Sequence, residues 1–342
     1  MNTKKRLLEI DVLRGVAAIS VVLFHYTTRY SQKFGHSNDV LIYFPQGYYG
    51  VELFFIISGF VIFMSLEKIT SGSEFIIGRF SRLYPAYWTC LILTYAIVNI
   101  TGLPNYTISW DVAIINLSMF QVFFNVSNVD GVYWTLGLEL CFYIIMFILY
   151  QTRLLKYINQ ISIIWLILMA LTIILEKQAN IFIEYRIGLL FFIKSNSIIF
   201  ANLFIIGMMF YKQYKKGLSL KEYCIITACI FIYQLQHYWT ETLLIICFTG
   251  LLHLIIDNKM SFIIQKPLLF MGTISYSLYL IHQNVGYVII NKLYKFGINP
   301  NISICIALTI SILLAAIITF KIEKPMMRLI KEQYKNVTTK MT

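Results

Sequence analysis

Apolar residues gather in ten runs long enough, or nearly long enough, to cross a bilayer. They cover residues 10–27, 48–66, 83–101, 132–150, 161–176, 196–211, 222–237, 239–256, 268–290 and 301–320. The hydrocarbon core of a membrane takes about 20 apolar residues of helix. The pattern therefore predicts an all-α, polytopic helical bundle with about ten transmembrane helices. The seventh and eighth runs abut at His237-Tyr238-Trp239, which implies a tight turn. The apolar stretch 108–124 is short and reads as an interfacial helix on the outer side, and 181–193 is ambiguous. The first run is too long for a signal peptide and lacks a small-residue cleavage site, so it reads as a retained helix.

Composition supports this reading. Of the 342 residues, 58% are hydrophobic and 13% charged, about half the charged share of a soluble domain. A single membrane domain over residues 1–342 is expected, with a core of about 8–330 and a short basic tail at 321–342. The net charge of +12 follows membrane topology rather than nucleic-acid binding. Most basic residues fall on alternate connections and on the termini, while the long connection 102–131 has no Lys or Arg. By the positive-inside rule both termini are cytoplasmic. Lipid is the surrounding partner, and no nucleic acid is expected. The six cysteines lie in or beside apolar runs without CxxC spacing, and packing is their expected role. No metal is expected.

Polar side chains inside the apolar runs are the chemically informative ones, because charge in a bilayer is costly. In the first run, Arg14 and His25 are 11 residues apart. At 100° per residue they share one helical stripe, roughly 16 Å apart along the axis. Counting from the boundaries places His25, Glu52, Glu139 and His282 toward the outer side, and Arg14, Arg79 and Arg82 at the inner side. A histidine with carboxylates at one depth suits general-base chemistry. Three guanidiniums suit a polyphosphate. Glu52 follows His25 across a loop of roughly 20 residues, and helices adjacent in sequence usually pack together. It is therefore the expected partner of His25, with Glu139 shaping the acceptor side beneath Trp134. These residues alone do not separate an enzyme from a proton-coupled transporter.

Six motifs in order narrow the choice: "LRGVAAISVVLFHY", "GVELFFIISGFVI", "RFSRLYPAYW", "YWTLGLELCFY", "ISYSLYLIH" and "IEKP". Together they resemble the membrane acyltransferase 3 family, integral-membrane O-acyltransferases of bacterial surface glycans and some secondary metabolites. The resemblance covers nearly the whole chain. It implies His25, Glu52 and Glu139 as catalytic residues and Arg14, Arg79 and Arg82 as the donor's phosphate-binding residues. Ser58, Trp134, Tyr276, His282 and Glu323 fall to the acceptor side or to structural support. The implied donor co-substrate is acetyl-CoA or another acyl-CoA on the cytoplasmic side of a bacterial inner membrane. The implied acceptor is a hydroxyl of a cell-envelope polysaccharide or its lipid-linked precursor, such as O-antigen, capsule or exopolysaccharide. The competing readings are acylation of a small metabolite such as a macrolide, and a proton-coupled transporter. Some relatives carry an extracytoplasmic hydrolase-like domain. Without one, this chain is expected to act alone or to hand over to a separate extracytoplasmic transferase.

Overall fold

The computed structural model describes residues 7–36, 40–104, 106–179, 200–217 and 219–341. Helix is the only extended element among them, apart from an isolated antiparallel bridge between Leu103 and Tyr106. The principal helices are α1 (Leu8–Phe24), α2 (Gly50–Leu66), α3 (Gly72–Thr101), α4 (Trp134–Gln151) and α5 (Ile158–Ala179). They continue with α6 (Ala201–Lys216), α7 (Leu220–Gln236), α8 (Trp239–Ile256), α9 (Lys266–Lys295), α10 (Pro300–Ile318) and α11 (Lys324–Met341). Each of the ten apolar runs overlaps one of the first ten helices, residues 196–199 of the sixth run lying outside the described residues. Among the described residues, six helical stretches are long and apolar enough to cross a membrane: Pro45–Leu66, Gly72–Thr101, Gly131–Gln151, Leu154–Ile174, Trp239–Ile256 and Pro300–Thr339. The ambiguous stretch 181–193 lies outside the described residues.

Three boundaries differ from the hydropathy reading, each for a local reason. The third helix starts eleven residues earlier than its apolar run, because Ser71 caps it by accepting a hydrogen bond from Glu74 N at 3.3 Å. Arg79 and Arg82 consequently sit within the helix, on successive turns. The expected interfacial helix at 108–124 breaks in two, Trp110–Asn116 and a 3₁₀ turn at Gln121–Phe124, with Met119 between them at φ 66°. The basic tail is helical as well. It continues from α10 through a π-helical turn, Thr319–Glu323, and α11 packs along α3. A matching π-helical turn, His25–Arg29, follows α1. Such turns often occur at functional sites, and the two here begin at His25 and end at Glu323.

Two close helix crossings set the frame. In the first, α1 lies against α9 through Gly15 and Gly272, where a Cβ on Gly272 would collide with the Asp11 carbonyl oxygen. In the second, α2 lies against α6 through Gly59 and Gly207, where a Cβ on Gly207 would collide with the Ile56 carbonyl oxygen. Small residues allow such backbone approach, which drives helix association in lipid. Gly207→Val is therefore expected to cost about 1–3 kcal/mol of stability or more. Gly250→Val, at a position with open space around its Cβ, should be neutral. Thermal unfolding of both variants in detergent checks the contrast.

Candidate active site

Three helix stripes turn toward one cavity of about 120 Å³. On α2 the stripe carries Val51 and Ser58, seven residues apart and so on nearly the same side of the helix. On α4 the stripe runs Thr135, Glu139, Tyr143 at four-residue steps. On α9 it carries Tyr276 and Tyr279. Arg14 from α1, together with Arg79 and Arg82 from α3, complete the wall. The remaining lining is mostly aliphatic and aromatic, so the cavity is an apolar sleeve with a cationic region.

The polar contacts within it are specific. Glu139 Oε1 accepts hydrogen bonds from Ser58 Oγ at 2.6 Å and from Tyr143 OH at 2.5 Å. The Arg79 guanidinium stands over the rings of Phe75 and Tyr143, 5.6 and 5.8 Å from their centroids, and its buried Nε has no hydrogen-bond partner among the described residues. Arg82 is ion-paired with Glu323, whose side chain is fully buried, and lies 5.8 Å from the centroid of the Tyr276 ring. Ser277 Oγ donates to Glu323 Oε2 at 2.9 Å, and Thr319 Oγ1 donates to Ser277 Oγ at 2.9 Å. Of the three arginines, Arg82 is the one held in an ion pair with a carboxylate among the described residues. Of the three guanidiniums expected to bind phosphate, Arg82 is thus engaged by Glu323, while Arg14 and Arg79 line the cavity.

His25 lies beyond the Tyr279 end of the sleeve. Its partner is His282, one turn further along α9: His282 Nε2 and His25 Nδ1 are 3.0 Å apart. The same His25 Nδ1 is 2.9 Å from Val21 O. His282 Nδ1 is 3.1 Å from Leu278 O and 2.9 Å from Tyr279 O. Carbonyl oxygens only accept, so His282 Nδ1 carries its proton and Nε2 holds a lone pair. His25 Nδ1 must then be the N–H that donates to it, leaving the lone pair of His25 on Nε2. The network assigns this tautomer. His25 Nε2 makes no hydrogen bond to a described residue, and the residue is only half-buried. Tyr26, next in the chain, fixes the π-helical turn by donating to His282 O at 2.8 Å and pairing with Ser311 Oγ at 2.7 Å.

The loop before α4 closes this end. Asp130 is buried and accepts from Asn284 N at 3.0 Å and from Val132 N at 3.2 Å. Burial pushes its carboxyl up to about 7, against the two N–H donors that favour the anion. Thr135 Oγ1 and Tyr279 OH are 2.9 Å apart and tie α4 to α9 at the same level.

Two carboxylate expectations are corrected by this geometry. Glu52 is not the hydrogen-bond partner of His25. It is 1% exposed, and its Oε2 has no partner among the described residues. The reason is angular. Glu52 lies seven residues before Gly59, on the stripe of α2 that packs against α6, whereas Gly50, which faces α1, is about 200° away around the helix. Glu139, expected on the acceptor side beneath Trp134, instead shares the cavity of the arginines. Trp134 lies off that lining and packs on Phe200, with ring centroids 5.7 Å apart. Tyr143 and Tyr279 were not singled out from sequence. The four-residue step from Glu139 to Tyr143 is the signal that finds the first.

The acyltransferase domain model of the acyltransferase 3 family matches residues 7–320. Nodulation protein 10 of Rhizobium leguminosarum bv. viciae is 29% identical over 113 residues, covering 28% of this chain and 31% of its own length. Protein 2 in picA locus of Rhizobium radiobacter is 36% identical over 109 residues, 29% of this chain and 51% of its own length. The chain thus spans about a third and about half of these relatives' lengths. No solved structure matches. With one family model spanning nearly all of an apolar, multi-helix membrane protein, the chain belongs to the acyltransferase 3 family of membrane acyltransferases.

Proposed function

We propose that the protein is an inner-membrane O-acyltransferase. It moves an acyl group, acetyl in the simplest case, from cytoplasmic acyl-CoA to a hydroxyl of a cell-envelope polysaccharide or its lipid-linked precursor. The observation that carries this reading is His25, whose Nδ1–H is held by Val21 O and His282 and whose Nε2 has no partner among the described residues, beside a sleeve whose wall carries Arg14 and Arg79.

Arg14 and Arg79 would bind the donor's phosphate-bearing portion, and the apolar sleeve would hold its extended arm. His25 Nε2 takes the proton of the acceptor hydroxyl as its oxygen attacks the thioester carbonyl. A C–O bond forms, the C–S bond breaks, and the proton passes from His25 to the departing thiolate. While His25 is charged, its Nδ1–H continues to donate to His282, so the imidazolium is stabilised without rearrangement. Glu139, held by Ser58 and Tyr143, balances the guanidinium charge in the sleeve.

Arg79→Ala should raise KM for the donor about tenfold or more with little change in kcat, because a phosphate contact persists from ground state to transition state. Lys should rescue it partly, retaining charge without the fork. Isothermal titration with acetyl-CoA checks the binding loss. Mass spectrometry of envelope glycans, with and without the protein, tests the acceptor class. Loss of an acyl mass increment from one sugar is expected, and unchanged glycans with a modified small metabolite would replace this acceptor by the other.

A further inference from the structure

A second cavity, about 610 Å³, opens where α11 crosses the start of α3. Its lining includes Lys68, Ser71, Arg79, Lys331, Tyr334 and Lys335. Lys331 and Lys335 are four residues apart and present one face of α11 to the cavity. Tyr334 fixes that face: its OH is 2.8 Å from Ser73 Oγ and 3.4 Å from Ser71 Oγ, at the N-terminus of α3. The cavity's one lining carboxylate, Glu74, is engaged locally, accepting from Thr70 N at 2.9 Å and Thr70 Oγ1 at 3.1 Å. Four cations therefore face one occupied carboxylate. Like charges held together on a packed surface cost free energy unless an anion joins them.

Arg79 connects this cavity to the sleeve, for it lines both. Its Nε is buried between them without a partner in the described residues. The helix N-terminus capped by Ser71 adds positive potential on the same side. A ligand reaching from the second cavity into the sleeve would thus be polyanionic at one end and slender at the other.

We propose that this second cavity binds the 3′-phosphate and diphosphate of the acyl-CoA donor, with Lys68, Lys331 and Lys335 as its phosphate contacts and Arg79 at the entrance to the sleeve. This rests on the acyl-CoA reading above and moves the phosphates beyond the arginine cluster alone. The phosphate selectivity of the donor is then set by the C-terminal helix.

The test compares acetyl-CoA with acetyl-3′-dephospho-CoA for the wild-type protein and a Lys331→Gln, Lys335→Gln double variant, both reconstituted in nanodiscs of neutral lipid. Removing the 3′-phosphate should raise the wild-type KM about tenfold, the loss of one charge-assisted contact. The double variant should show that rise for acetyl-CoA and less than a twofold further change for the dephospho donor. Equal sensitivity of the two donors to the lysines, or none, overturns the proposal. A lysine effect that appears only when phosphatidylglycerol is added makes these residues lipid anchors and also overturns it. A wild-type protein that neither transfers nor hydrolyses either donor overturns the acyl-CoA reading itself, which is a distinguishable result. Unfolding temperatures of the wild-type and variant proteins should agree.

Discussion

His282→Leu is expected to lower kcat for acyl transfer by about 10²–10⁴-fold while leaving KM for the acyl-CoA donor within about twofold of wild type. His282 is not itself part of the sleeve lining and, on this account, does not touch the donor. It acts through His25, by accepting the Nδ1–H and so holding the Nε2 lone pair available. Leucine fills the volume but offers no acceptor, so the His25 Nδ1–H is left to Val21 O alone and the imidazolium loses the partner that stabilises it. Gln at 282 should recover part of the loss, because its carbonyl oxygen can accept in place of Nε2. Steady-state kinetics with a thermal-unfolding control reads the effect. If His282→Leu keeps kcat while Glu52→Gln loses it, Glu52 is the partner of His25 and the tautomer argument fails.

The second large effect lies in the Arg82–Glu323 pair. Glu323 is fully buried and accepts from Ser277, which in turn accepts from Thr319, so it is built into the junction of α9, α10 and α11. Arg82→Leu leaves a carboxylate buried without its cation, at a cost of about 3–5 kcal/mol. Arg82→Leu combined with Glu323→Leu removes both charges and should regain much of that loss. Denaturation of the two single variants and the double variant in detergent gives the coupling directly. Simple additivity would show that the pair is not a structural lock, and would return Arg82 to the pool of donor-binding cations. Arg79 should behave differently, affecting donor affinity with little change in stability.

Much of the bundle could be read from hydropathy, because each helix must present some 15 or more apolar residues to lipid or to its neighbours. The shared stripe of Arg14 and His25 could also be read, since it depends only on helical periodicity over one regular element. The partner of His25 could not. It stands 257 residues away in the chain, and the inference from adjacent helices chose Glu52 instead. What defeated that inference was rotation about α2, which depends on the Gly59–Gly207 crossing with α6. Depth counting failed for Glu139 in the same way. Its distance from the helix end was right, but that said nothing of the cavity it faces, which Ser58 and Tyr143 reveal. The pairing of Arg82 with Glu323 depends on a π-helical turn, and such a turn has no hydropathy signature. Motif resemblance singled out His282 and Glu323 without saying what either one holds.

The most direct test of the account uses purified protein in nanodiscs with radiolabelled acetyl-CoA, following release of free CoA with water or a soluble sugar as acceptor. Wild-type protein should turn over the donor, and His25→Ala should reduce the rate by about 10²–10⁴-fold with acetyl-CoA affinity retained. Undiminished turnover in His25→Ala would contradict the assignment of His25 Nε2 as the base.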